Sequence, residues 1–229
     1  MKLAIMQPYL FPYIGYFHLI DAVDLFLIYD DVAYIKRGFV NKNSIASPSG
    51  SANFTVPVLG ASQNKLFSEL QFSKEVDKVL KTFEYSYSKA PYFENVFPIV
   101  YETLNFPDRS IASICKRGFE EIFSYLNIEK TFRKTSEIDY DRSVNARDRL
   151  ISLCNIFGAN KYINAPGGRK LYKKQDFAEA GIDLQFVDSL AVEYRQAGKN
   201  FIPNLSIIDV LMNCSPEEVK FLLGRYELA

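Results

Sequence analysis

The run Leu3 to Met6 is apolar without interruption and stops at Gln7, and with Lys2 in front of it the pattern predicts a short buried strand over Lys2 to Met6. Ile14 to Val23 follows with Tyr16, Phe17, Ile20 and Val23 at near-helical spacing, and Leu25 to Tyr29 is a second short apolar run. The chain therefore opens on a compact βαβ unit. Two extended, β-branched pieces, Phe39 to Ala46 and Ala52 to Val58, then flank the turn signal Ser47-Pro-Ser-Gly50 and predict a hairpin inserted after the second strand. The period changes to helical over Lys74 to Tyr87, Tyr92 to Leu104 and Ser110 to Leu126, with Ala90-Pro91 breaking the first two apart. Alternation resumes with a strand at Thr131 to Lys134, a helix at Ser143 to Phe157, a strand at Lys161 to Asn164, a short helix at Lys173 to Ala180 and a strand at Asp183 to Val187. Helices at Ser206 to Asn213 and Pro216 to Leu223 end the pattern.

Five strands separated by helices predict an α/β fold with an open, mostly parallel, Rossmann-like three-layer sheet. No repeat, low-complexity tract or Pro/Gly/Ser-rich linker divides the chain. One domain over residues 1–229 is expected, with a helical insertion at about 74–126.

Composition changes this picture mainly by exclusion. Twenty-seven basic residues balance twenty-seven acidic ones in 229, so bulk attraction to nucleic acid or to an anionic membrane is not expected. Cys115, Cys154 and Cys214 lie far apart without metal-ligand spacing, which fits a reducing cytoplasm. No signal-peptide pattern and no apolar run long enough to span a bilayer is present, so a soluble cytoplasmic protein is expected. Nineteen Phe and fifteen Tyr give a high aromatic content, and tyrosine offers both a stacking face and a polar tip to a sugar or base.

In open α/β sheets ligands bind beyond the carboxyl ends of the strands, and the residues there are unusually polar and aromatic. Gln7 and Tyr9, with Tyr13, Tyr16 and His18 further on, follow the first strand; Asp30 and Asp31 follow the second, with Lys36 and Arg37 close behind. Either carboxylate would orient an ammonium, hold a metal-bound phosphate or act as a general base, against the plainer reading of a capped turn. His18 is the only histidine, hence the only imidazole available as a base near neutral pH, although a lone helical histidine is also a common structural residue. The run NAPGGRKLY offers Gly167 and Gly168 for close backbone approach, Arg169 as an anion clamp and Tyr172 beyond it. A Pro-Gly-Gly turn is equally an ordinary connector, and neither a P-loop nor a dinucleotide fingerprint is present. Asn41, Lys42 and Asn43 are poor strand fillers and suggest polar contacts on the hairpin. Tyr194, Gln196, Phe201, Ser206 and Asp209 are late candidates, the last two also reading as a helix cap followed by a capping-box partner. No metal motif and no signature of acyl-enzyme hydrolysis is visible.

The blocks IMQPYLFPYIGYF, DLFLIYDDVAYIKRGFVNKNSI, FTVPV, YSKAPYF, FGANKYINAPGGRKLY, AGIDLQF, EYRQ and FIPNLSIIDVL, in that order, resemble the WbqC-like protein family over nearly the whole chain. The family usually carries Asn-Arg-Asn where this chain has Asn41, Lys42 and Asn43, so a planar bidentate clamp at position 42 is lost while the charge remains. It often has Trp where this chain has Tyr13. The resemblance implies an enzyme of polysaccharide or O-antigen biosynthesis that transfers an acyl or aminoacyl group, a glycyl unit for instance, to the amine of a nucleotide-linked amino sugar. The donor would be a CoA thioester, an aminoacyl donor or an ATP-activated acid. Within that implication His18, Asp30 or Asp31 would serve as base, with Gln7, the tyrosines, Lys36, Asn41 to Asn43, Gly167 to Arg169 and Gln196 holding substrate. Two alternatives stand beside it, a non-catalytic glycan-intermediate binding protein and a Mg-dependent nucleotidyltransferase or ATP-dependent ligase. The βαβ start resembles nucleotidylyltransferase folds more distantly, without their paired histidines.

Overall fold

The structure is a computed structural model that describes residues 1–36, 38–48, 50–196 and 200–229. Strand β1 (Lys2–Met6) leads through residues 7–13 into α1 (Ile14–Asp21) and back into β2 (Leu25–Ile28). The hairpin of β3 (Lys42–Ser47) and β4 (Gly50–Thr55) follows, then a two-residue pairing of β5 (Val58–Leu59) with β6 (Gln71–Phe72). Helices α2 (Asp77–Tyr87), α3 (Phe93–Leu104) and α4 (Ile111–Tyr125) fill the middle of the chain. Alternation resumes with β7 (Thr131–Lys134), α5 (Ala146–Ile156), β8 (Lys161–Asn164), α6 (Lys174–Ala178) and β9 (Asp183–Ser189). The last elements are α7 (Ile207–Asn213), α8 (Pro216–Leu223) and β10 (Tyr226–Leu228).

Six strands form one mixed, mostly parallel sheet in the order β10-β9-β8-β1-β2-β7, with only β10 antiparallel to its neighbour. Alternate residues of the inner strands enter different layers, as the pleat requires. Leu3, Ile5, Leu25 and Leu27 pack with Leu150, Leu153 and Phe177 from the α5 and α6 side, whereas Ala4, Phe26 and Ile28 join a larger cluster with α1, α4 and α7. Strands buried on both faces read as continuous apolar runs, which is why they stood out in the sequence.

Local signals set most boundaries. Ser110 caps α4 by accepting from Ser113 N, Asn145 caps α5 by accepting from Asp148 N, and Ser215 and Glu218 close a reciprocal capping box on α8. The first hairpin arm begins later and the second ends earlier than the pattern suggested, because Asn41 and Val56 tie the base of the hairpin: the Asn41 carbonyl accepts from Val56 N and its Nδ2 donates to Val56 O, both at 2.8 Å. The short strand β10 has no apolar run to announce it and forms by pairing Tyr226 with Ser189 and Leu228 with Val187.

The connections leave β1 in opposite senses: α1 carries the chain to β2 on one side, while β8 lies on the other. A topological switch therefore falls between the carboxyl ends of β1 and β8, where Gln7 and Ala165 emerge from neighbouring strands.

Candidate functional site

The segment after β1 is held from three directions. Phe11 sits in the left-handed region at φ 45°, and its carbonyl accepts from Asn43 Nδ2 at 3.0 Å and Ser206 Oγ at 2.7 Å. Leu10 N donates to Val40 O, Ile207 N to Pro12 O, and Ser206 N to Ser44 O. The opening segment, the hairpin and the start of α7 thus meet at one buried junction, built by residues far apart in sequence. Tyr16 belongs to this packing: it is buried against Phe26 and Phe119 and donates to Gln7 O at 2.6 Å. Tyr9 lies half-buried beside it, 5.7 Å between ring centres. Tyr13, by contrast, is exposed and folds its ring over Gly15, where a Cβ would fall 2.3 Å from the ring edge. That close approach accounts for glycine at the second position of α1.

A cavity of about 410 Å³ opens beside this junction, between the first turn of α1, the chain continuing from β9, and residues 201–205. Tyr13, His18 and Tyr194 line it together with Ser189, Glu193 and Asn204. Tyr194 and Phe201 meet edge to face at 5.3 Å and supply an apolar wall. His18 is fully buried, with Nε2 3.0 Å from the Leu222 carbonyl oxygen, Nδ1 2.9 Å from Ser189 Oγ and its ring 5.8 Å from that of Tyr226. A carbonyl can only accept, so Nε2 carries the hydrogen and, in the neutral ring, Nδ1 accepts from the Ser189 hydroxyl. Burial lowers the His18 pKa, opposed by the Leu222 hydrogen bond and the nearby Asp21 carboxylate.

That lowering has a measurable consequence. Below its ordinary value of 6.5 the unfolded imidazole takes up a proton that the folded one resists, so stability from His18 is present at neutral pH and is lost as pH falls through that range. Urea unfolding between pH 8 and pH 5 should show this decline for the native chain, and a His18→Gln variant should lack that step.

Behind the cavity wall lies a second polar group. Asp209 is fully buried; its Oδ1 accepts from Tyr87 OH at 2.5 Å and Ala46 N at 3.4 Å, and its Oδ2 from Tyr194 OH at 2.6 Å and Gln196 Nε2 at 3.0 Å. Burial and the adjacent carboxylate drive both tyrosine pKa values well up. Ser206 caps α7 as its residue type predicted, accepting from Ile208 N. Asp209 departs from the capping-box expectation, turning inward to tie the hairpin, α2 and the 194–196 segment to α7.

The remaining predicted residues fall elsewhere. Asp30 accepts from Ser136 N at 2.8 Å and Ser136 Oγ at 2.7 Å; Asp31 accepts from Thr135 Oγ1 at 2.6 Å, Tyr140 OH at 2.7 Å and Arg142 Nε at 2.8 Å. Thr135 Oγ1 also lies 3.2 Å from Asp30 Oδ1, the chain bending at Asp31 so that both carboxylates face one hydroxyl. Asp31 borders a shallow hollow of about 460 Å³. Burial raises the Asp30 pKa in spite of the Ser136 hydrogen bonds.

Gly167 is exposed, whereas Gly168 is buried where a Cβ would stand 2.5 Å from Asn164 Nδ2. Arg169 is held bidentately by Asp188, at 2.7 and 2.6 Å, over the Phe186 ring. Tyr172 meets Phe177 edge on. Lys36 and Lys42 are exposed, and Arg37 lies outside the described residues. Of the predicted set the cavity therefore gathers Tyr13, His18, Tyr194 and Phe201, with Gln196 bonded behind Tyr194 at 3.0 Å. The Gln7 and Gly167 blocks lie at the switch, Asn41 to Asn43 serve the hairpin base, and the aspartates lie at the ends of β2 and β7. Ser189, Glu193 and Asn204 carry no local signature and were not singled out.

Cys115, Cys154 and Cys214 are free and buried, and burial pushes the latter two thiols up to about 12. Among the described residues no three His, Cys, Asp or Glu side chains converge as a metal site, and no helix is long and apolar enough to cross a membrane.

An open, mostly parallel α/β sheet with an inserted hairpin and a cavity beside the carboxyl end of β9 defines the class. The chain belongs to the WbqC-like protein family, whose model matches residues 7–221. It is similar to the uncharacterized protein Rv1507c of Mycobacterium tuberculosis (strain ATCC 25618 / H37Rv), 31% identical over 229 residues that cover 96% of this chain and 97% of that protein. No solved structure matches.

Proposed function

We propose that this WbqC-like protein acylates the amine of a nucleotide-linked amino sugar in polysaccharide biosynthesis, taking an acyl or aminoacyl group from an activated donor. Amide formation needs a neutral amine, a group to receive its proton, and donors for the tetrahedral oxyanion. The observation that carries the reading is His18: an imidazole favoured in its neutral form, bonded to a hydroxyl on the wall of a cavity that also presents Glu193. Glu193 suits an incoming ammonium, and Tyr13 and Phe201 suit the apolar face of a sugar ring. The Ile14 and Gly15 N–H groups at the start of α1, which helix geometry leaves without intrahelical acceptors, suit the oxyanion.

The test is incubation of the full chain with a panel of dTDP- and UDP-linked amino sugars and with glycyl and acetyl thioesters, followed by mass spectrometry of the sugar. One sugar should gain a single acyl group, and Glu193→Gln should weaken the apparent affinity for it by about tenfold, as expected for a lost charge-assisted contact. Saturable sugar binding without any acyl product would replace this reading with a non-catalytic role.

A further inference from the structure

His18 has both ring nitrogens hydrogen-bonded, and one of the two partners is the hydroxyl of an exposed residue. Its acceptor nitrogen is spent on Ser189, whose side chain reaches the surface and the cavity while the imidazole behind it is sealed by Leu222 and Tyr226. Ser189 is the last residue of β9 and is held on its other flank by β10, with Leu190 N donating to Arg225 O at 2.9 Å. The hydroxyl therefore stands on a rigid element. Hydroxyl, imidazole and orienting acceptor are in series: Ser189 Oγ to His18 Nδ1 at 2.9 Å, then Nε2–H to Leu222 O at 3.0 Å. That is the relation by which a serine is made nucleophilic, here with the ring turned end for end and a main-chain carbonyl in place of a carboxylate.

We propose that Ser189 is the nucleophile that carries the acyl group. Ser189 Oγ attacks the carbonyl carbon of a thioester donor and passes its proton to His18 Nδ1. The tetrahedral oxyanion lies against the Gly15 end of α1 and the Asn204 amide, both on the cavity wall. Collapse breaks the carbon–sulfur bond, the thiolate leaves with the proton from His18, and an acyl ester remains on Ser189. A neutral amine then attacks that ester and gives a proton to Nδ1; the carbon–oxygen bond breaks and His18 returns the proton to Oγ. The sum is thioester plus amine giving amide plus thiol, with no further reactant.

This inference rests on the acyl-transfer reading, but its first half-reaction needs no sugar, so the two can fail separately. The full chain is treated with p-nitrophenyl acetate and with an acetyl thioester of N-acetylcysteamine, quenched in acid, digested and mapped by mass spectrometry. One acetyl group on the peptide containing Ser189 is expected, with a burst of p-nitrophenol equal to the protein present. Ser189→Ala should lose the burst at least about a hundredfold, Ser189→Cys should restore it, and His18→Asn should lower its rate by about a hundredfold. Circular dichroism of Ser189→Ala should match the native chain while its unfolding midpoint falls by the cost of one unpaired imidazole nitrogen, so the burst is compared per folded molecule. Acetyl groups confined to lysine or cysteine, or a Ser189→Ala chain that still forms amide at the native rate, would overturn the covalent role while leaving amine acylation standing. A labelled Ser189 with no amide formed on any sugar would uphold the nucleophile and remove the transferase.

Discussion

Asp209→Ala is expected to cost about 4 kcal/mol of folding stability, a substantial share of what a domain of this size possesses. The carboxylate has no exposed surface, and four donors converge on it: the hydroxyls of Tyr87 and Tyr194, the Gln196 amide and the Ala46 N–H. Truncation strands several of them, at roughly 1–3 kcal/mol for each buried group left unpaired. Removing a buried charge returns part of its desolvation cost, which keeps the total below the simple sum. For a chain of this length the loss corresponds to a melting temperature lower by about 10 °C. Asp209→Asn keeps one acceptor and should cost about half as much. Urea unfolding of Asp209→Asn, Tyr194→Phe and the double variant should give a coupling energy of about 1 kcal/mol or more, since the two side chains share one hydrogen bond. Additive costs would mean that the network does not act as a unit. The consequence reaches the cavity, because Tyr194 is both a ligand of Asp209 and part of the cavity wall.

How much of this was legible in sequence follows from the range of the forces. Strands β1, β7 and β8 have the limits that their residue patterns predicted, and α8 begins and ends where Pro216 and Leu223 placed it. Burial on both faces and capping are local or nearly so. Strand β10 was hidden because its three residues are only partly buried or exposed, and its identity comes from pairing with β9. The site is harder for the same reason. His18, Tyr13 and Tyr194 could be named by residue type and strand-end position, but Ser189 is separated by 171 residues from the imidazole it touches, and the orienting carbonyl by 204. A serine ending a strand has no local mark, and only the fold supplies its partner. Asp30 and Asp31 show the converse: residue type marked them strongly, while their donors lie more than a hundred residues away and could not be seen.

Those donors decide what Asp31 does. Asp31→Ala is expected to destabilise the chain by about 3 kcal/mol, because the buried carboxylate is the acceptor for Thr135, Tyr140 and Arg142 together. The Arg142 contribution is discounted, since its side chain is 38% exposed against 4% for Asp31 and solvent screens the pair. Arg142 also donates to the carbonyls of Thr135, Ile138 and Tyr140, so its guanidinium fastens the 135–142 loop to the end of β2 only while Asp31 holds it. Limited proteolysis should accordingly cut the variant within that loop at urea concentrations that leave the native chain intact. A general base behaves otherwise: Asp31→Asn would then abolish turnover by about 10² or more with the unfolding midpoint unchanged. The geometry predicts the opposite pairing, a lowered midpoint with turnover per folded molecule within about threefold of native. With the Asp31 carboxylate engaged by Thr135, Tyr140 and Arg142, its place is in the architecture of the strand ends, and under the proposed acyl transfer the proton would pass to His18 instead.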